Sequence, residues 1–140
     1  MSNIEQVHAC IDGMFNAQIN GDVDGALSFM ADSHCIWNVR AGDLSDPTIW
    51  KAGGYATRIE LKEWLSKQQS YKCQYKYLHT DLHKSGRAAV VVIEETGKAV
   101  SHDGRTHEWT EVVNLWSLAE IDGTWKVTGS MHHIGDRPDE

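Results

Sequence analysis

Three side chains in the second half of the chain have the types and spacing for proton-transfer chemistry: Glu95, Asn114 and His133. An imidazole titrates near neutrality and can give or take a proton. A nearby carboxylate would raise its pKa and orient the ring, or, if buried, could act as the base itself. An amide can polarise a carbonyl or orient a ligand. Whether the three meet depends on strand register, and register depends on turns. Asp103-Gly104 and Asp122-Gly123 read as tight two-residue turns between long strands. Across the second turn, Leu118 faces Val127, Trp116 faces Gly129, Asn114 faces Met131 and Val112 faces His133. Across the first, Val91 faces Trp116, Ile93 faces Asn114 and Glu95 faces Val112. Glu95, Asn114 and His133 are then expected at the polar end of an apolar face, the composition of a ligand pocket. Each also has a plainer reading: a strand-end histidine, a solvent-facing carboxylate, a satisfied core amide.

The opposite face carries Val90, Val92, Val113, Leu115 and Ser130 among others. It is half apolar and suits a homodimer interface. A single β-bulge would exchange the two faces, so Glu94, Glu111 and His132 stand in reserve for the pocket. Tyr75, Tyr77 and His79 alternate along the first long strand. A turn at Ser85-Gly86 sets them beside Val92 and Glu94, away from Glu95.

The elements that position these residues follow from periodicity. Ser2-Asn3-Ile4-Glu5 is a capping box, and Ile4, Val7, Ile11, Met14, Phe15 and Ile19 recur at helical spacing until Asn20-Gly21. Asp22 caps a second helix over 23–31, and a short strand is expected over 34–40. Residues 41–56 read as a long loop, in which Trp50 and Tyr55 could close over a ligand as a lid. Thr57-Arg58-Ile59-Glu60 opens a third helix to about Gln69, with Leu61, Trp64 and Leu65 on one side. Strands are expected over 72–83, 88–99, 106–121 and 124–133. The chain reads as one domain over 1–136, with 137–140 as a short tail. Helices segregated from an antiparallel meander make an α+β fold.

The chain has six tryptophans in 140 residues. Trp37, Trp64, Trp109, Trp116 and Trp125 are expected as core or pocket wall, and such walls suit a flat apolar ligand. The expected ligand contacts are Trp37, Trp64, Trp116, Met131, Trp50 and Tyr55.

Composition excludes several classes. A net charge of -7 argues against a nucleic-acid partner, which wants a basic stripe. No stretch approaches the roughly 20 apolar residues of a membrane span, and residues 1–20 do not read as a signal peptide. Cys10, Cys35 and Cys73 cannot all pair, and no CxxC motif is present; reduced thiols in a cytoplasmic protein are expected. His132 and His133 point to opposite faces of a strand, and His79 and His83 lie about 13 Å apart at about 3.3 Å per residue. Neither pair chelates a metal. With no Gly-rich phosphate loop either, no metal or cofactor is expected.

The element order, together with Asn20-Gly21-Asp22, Phe29-Met30-Ala31-Asp32 leading to Trp37, and the closing Asp122-Gly123-Thr124-Trp125-Lys126-Val127, resembles the nuclear transport factor 2-like superfamily. Within it the chain is similar to the SnoaL-like, ketosteroid isomerase-like small-molecule proteins. The resemblance covers nearly the whole chain and rests on pattern and order. It implies a strongly curved antiparallel sheet wrapped around the N-terminal helix as a cone with an internal pocket, and dimerisation through the outer sheet face. It does not name a reaction, because such folds serve isomerases, dehydratases, cyclases, hydrolases and non-catalytic association modules. Residues and resemblance together leave two readings open. One is cofactor-independent proton transfer on a small, flat, largely apolar molecule. The other is a binding or association dimer without chemistry.

Overall fold

The computed structural model describes residues 2–38, 55–132 and 134, with the backbone alone for residues 37, 38, 55 and 56. Helix α1 (Asn3–Ile19) begins at the Ser2 capping box, where the Ser2 hydroxyl accepts from the Glu5 backbone and the Glu5 carboxylate accepts from the Ser2 backbone. It ends in a Schellman arrangement, with Gly21 N–H donating to Gln18 O and Asp22 N–H to Ala17 O. The turn holds Gly21 at φ 72°, a conformation that costs glycine little. The buried stripe of α1 runs through Val7, Ile11, Met14, Phe15 and Gln18.

Helix α2 (Val23–Ser28) is shorter than its expected span. Phe29 and Ala31 hydrogen-bond instead to the backbone of Val127, and Met30 forms a parallel bridge to it. Pairing with a buried strand satisfies those backbone groups as well as another helical turn would. Strands β1 (Cys35–Asn38) and β2 (Tyr55–Thr57) precede helix α3 (Arg58–Ser66), whose N-cap hydroxyl, Thr57 Oγ1, accepts from Glu60 N–H. The chain then enters β3 (Gln68–Leu82), β4 (Ala88–Ser101), β5 (Thr106–Ile121) and β6 (Thr124–His132). Gln68 and Gln69, expected as helix, already belong to β3, Gln68 pairing with Ser101 and Gln69 bulging; the Gln68 side chain turns back to donate to Trp64 O.

The six strands form one curved sheet in the order β2-β1-β6-β5-β4-β3, antiparallel throughout except for β1 against β6. Its concave face packs on α1. Ile11, Met14 and Phe15 meet Val91, Ile93, Trp116, Leu118 and Val127 in a single apolar cluster. Every-second-residue burial along β4 and β5 is the expected signature of a sheet with one covered face. The α+β class and the curved sheet agree with the sequence expectation. No helix among the described residues is long and apolar enough to cross a membrane.

Candidate functional site

Register decides which side chains enter the hollow beneath the sheet. The β4–β5 pairing is as expected at depth: Val91 with Trp116, Ile93 with Asn114, Glu95 with Val112. It arises by two compensating departures. The turn closes with Ser101 N–H donating to Arg105 O, a loop one residue longer than two. That shifts the pairing by one, to Gly97 with Trp109. An extra β5 residue between Trp109 and Val112 then restores it, with Glu111 at φ 49° and its N–H donating to Thr96 Oγ1. Glu111 is exposed.

The β5–β6 pairing departs. Leu118 faces Val127 as expected, but Thr128 bulges from β6, so Ser117 faces Gly129, Trp116 faces Ser130 and Leu115 faces Met131. The Ser117 and Thr128 hydroxyls hydrogen-bond at 2.8 Å across the bulge. The extra residue exchanges the faces of the rest of β6. Met131, expected in the pocket, therefore lies on the convex face and is 40 % exposed. Ser130 and His132 take the concave side, and the His132 ring packs at 5.1 Å from Trp116, centroid to centroid.

A third bulge, at Leu78, shifts β3 against β4, so that Tyr75 pairs with Glu95 and Tyr77 with Ile93. Both tyrosines thus turn to the concave face rather than the side of Glu94. Their hydroxyls donate to the same oxygen, Asp12 Oδ1, at 2.6 Å each. This clasps α1 to β3, and Phe15 stacks on Tyr75 at 4.4 Å.

The hollow between α1, α3 and the sheet is a cavity of about 980 Å³. Glu95, Asn114, Trp116, Trp64 and His132 line it, with Tyr71 and Trp109. Glu95 is 5 % exposed and Asn114 1 %. The Asn114 amide donates to Glu95 Oε1, and the Cys73 thiol donates to Glu95 Oε2 at 3.2 Å. Burial pushes the Glu95 carboxyl up to about 7, and the two donors pull it partly back. Burial, then the neighbouring Glu95 charge, hold the Cys73 thiol and the Tyr71 hydroxyl above their ordinary ranges. The site thus holds one carboxyl half-ionised near neutrality between neutral donors, in an aromatic surround. Such a group can take a proton from a bound molecule or give one to it.

The wall toward the turn depends on a glycine. A Cβ on Gly97 would stand 2.3 Å from Trp109 Cζ2, so its absence lets that indole lie across β4. Trp109 in turn tilts against Tyr71, which meets Trp64 edge to face. Trp64 is 38 % exposed and stands at the rim.

Of the expected site residues, Glu95, Asn114, Trp64 and Trp116 share the cavity. His133 and Trp50 lie outside the described residues, as do the side chains of Trp37 and Tyr55. Sequence reasoning missed Cys73, which holds Glu95, and Tyr71 and Gln18, which line the cavity. The signal for Cys73 and Tyr71 was present in the alternation of Tyr71, Cys73, Tyr75 and Tyr77 along β3; without the Leu78 bulge it points to the wrong face.

Neither a protein-family model nor a curated protein matches the chain. Solved structures do. A ketosteroid isomerase-like protein from Erwinia carotovora atroseptica aligns at TM-score 0.65 and 14 % identity over 91 % of this chain and 92 % of its own. An uncharacterised protein with a cystatin-like fold from Caulobacter vibrioides aligns at TM-score 0.70 and 14 % identity over 98 % and 92 %. The association domain of CaMKII from C. elegans aligns at TM-score 0.62 and 13 % identity over 92 % and 93 %. With its curved sheet packed on a long N-terminal helix and these alignments over nearly its full length, the chain has the nuclear transport factor 2-like, cystatin-like fold.

Proposed function

We propose that the cavity binds a small, flat, largely apolar molecule and that Glu95 exchanges a proton with it without a cofactor, as in isomerase, dehydratase or hydrolase chemistry. The observation that carries this reading is the Glu95 carboxyl, buried at the cavity wall and held on both oxygens by Cys73 and Asn114. Here its base strength is raised by burial while its orientation is kept. Asn114 orients the carboxyl, Trp64 and Trp116 supply flat apolar walls, and His132 offers a second polar group on the same side. His133, Trp37, Trp50 and Tyr55 remain proposed contributors from the sequence. The three free cysteines suit a reducing, cytoplasmic setting.

The test uses 2-tetralone, a flat apolar carbon acid, as probe. Binding is read by tryptophan fluorescence and α-deuterium exchange by NMR. The expected result is exchange above the buffer rate, increasing with pH through about 7 and lost in Glu95→Gln while binding persists. Binding without exchange favours the non-catalytic ligand carrier. Absence of binding rejects an occupied pocket.

A second reading, an association dimer, is favoured by the convex face. Val90 and Met131 are 37 % and 40 % exposed there, beside half-buried Val92 and Leu115, and one fold neighbour is itself an association domain. A homodimer through this face predicts a two-chain mass by sedimentation equilibrium, reduced to one chain by Val90→Lys with Met131→Lys. A one-chain mass for the unaltered protein rejects it.

A further inference from the structure

The buried stripe of α1 holds one polar member. Gln18 follows Ile11, Met14 and Phe15 on the inward side and is 9 % exposed. Its side-chain amide has no hydrogen-bond partner among the described residues. It lines the main cavity and also a second hollow of about 460 Å³. The two hollows share the walls made by Gln18, Leu65, Ser66, Gln68, Tyr71 and His102. An amide on a cavity wall is satisfied by protein, water or ligand, and this one opens onto both hollows.

The second hollow differs in chemistry from the first. Where the main cavity is walled by tryptophans, this annex presents amides and hydroxyls of its own, from Asn20, Gln69 and Ser70. No carboxylate lines it among the described residues, while Lys72 and His102 also border it. An apolar substituent passing Gln18 would strand both a donor and an acceptor. A cationic one would find no carboxylate to receive it. A hydroxyl-bearing substituent answers both halves of the amide and the serines beyond it.

We infer that Gln18 is a specificity residue at the junction of the two hollows, and that the ligand carries a hydroxyl-rich, non-cationic substituent extending past it into the annex from a flat apolar body. This rests on the reading of the main cavity as a pocket for such a body, and it adds a chemical class to the ligand.

The experiment compares 4-methylumbelliferone, a flat body alone, with its β-D-glucoside, the same body carrying a neutral polyhydroxyl group. Both are titrated by calorimetry into the full chain, into Gln18→Leu and into Gln18→Met, the latter close to glutamine in length. The expected result is that the unaltered protein binds the glucoside more tightly than the bare body. Either substitution should lower the ratio of glucoside to bare-body affinity about tenfold, since a hydrogen-bonding site discriminates chiefly against what leaves it unpaired. Bare-body binding without glucoside preference, or a ratio indifferent to residue 18, overturns the inference and leaves the main pocket standing. Failure of both probes to bind the unaltered protein overturns the pocket reading and this inference with it.

Discussion

The Cys73 thiol donates to Glu95 Oε2 at 3.2 Å, across the β3–β4 pair. With the Asn114 amide on the other oxygen, both lobes of a buried carboxylate are held by neutral donors. Each donor favours the ionised form and opposes the effect of burial. Cys73→Ala is therefore expected to move the Glu95 midpoint upward from about 7 by about one pH unit, the size of a hydrogen bond to a charged group. Asn114→Leu should move it at least as far. Carboxyl carbon shifts in a ¹³C-Glu-labelled protein across pH 4 to 10 measure both; an unmoved midpoint in Cys73→Ala would show that the thiol does not hold the carboxylate.

Two buried groups give the fold opposing pH dependences. Glu95 titrates near 4.5 when exposed and about 7 in the fold, so the native state holds its proton over that window. Its contribution to stability is greatest in acid and is lost as pH rises through about 7, amounting to about 3 kcal/mol. His34 goes the other way. Burial lowers it from 6.5 to about 4, so stability falls as pH drops through that window. Between 4.5 and 6.5 the two slopes oppose each other, and the unaltered protein should show a nearly flat profile. Glu95→Gln should expose a stability that climbs with pH up to about 6.5. His34→Phe should expose one that declines between about 4.5 and 7. Urea melts at four pH values decide the matter; unchanged slopes in both variants would reject it.

Gly97→Ala is expected to destabilise, because the added Cβ meets Trp109 Cζ2 at 2.3 Å and Lys72 O at 2.6 Å. Overpacking of this kind costs about 1–3 kcal/mol, and the Trp109 signal in near-ultraviolet circular dichroism should change. Gly129→Ala serves as control. Its nearest atoms would be Ser117 Oγ at 3.4 Å and Cys35 O at 3.5 Å, so the change should stay within about 0.5 kcal/mol. Equal effects of the two substitutions would contradict the close approach at Gly97.

Asp12 is the shared acceptor of Tyr75 and Tyr77. Asp12→Ala removes the acceptor of Tyr75 and leaves Tyr77 only His8 O at 3.1 Å, and should cost about 1–3 kcal/mol, the penalty of one stranded group. In the Tyr75→Phe/Tyr77→Phe background the same substitution should cost much less, because nothing remains to strand. A double-mutant cycle by denaturant melts reads the coupling; additivity would show that the clasp does not tie α1 to β3.

Much of this molecule is legible in its residues. The Ser2 capping box and the stripe from Val7 to Phe15 specify α1, and Asn20-Gly21 ends it. Two-residue alternation from Ala89 to Glu95 and from Val112 to Leu118 assigns Glu95, Asn114 and Trp116 to one side of the sheet, since burial and pleat share that period. Such signals are local, carried within a few residues of where they act.

The bulges are different. Thr128 loops out because a curved sheet must relieve strain somewhere between β5 and β6, and nothing in Lys126-Val127-Thr128-Gly129 marks the place. That one residue sends Met131 to the convex face and brings His132 beside Trp116. Leu78 does the same for β3, carrying Tyr75 and Tyr77 over to Asp12. Sequence periodicity thus assigned residues to strands and named most of the concave face. Curvature against α1, a property of the packed whole, chose where each strand slips by one and so which polar groups look into the cavity.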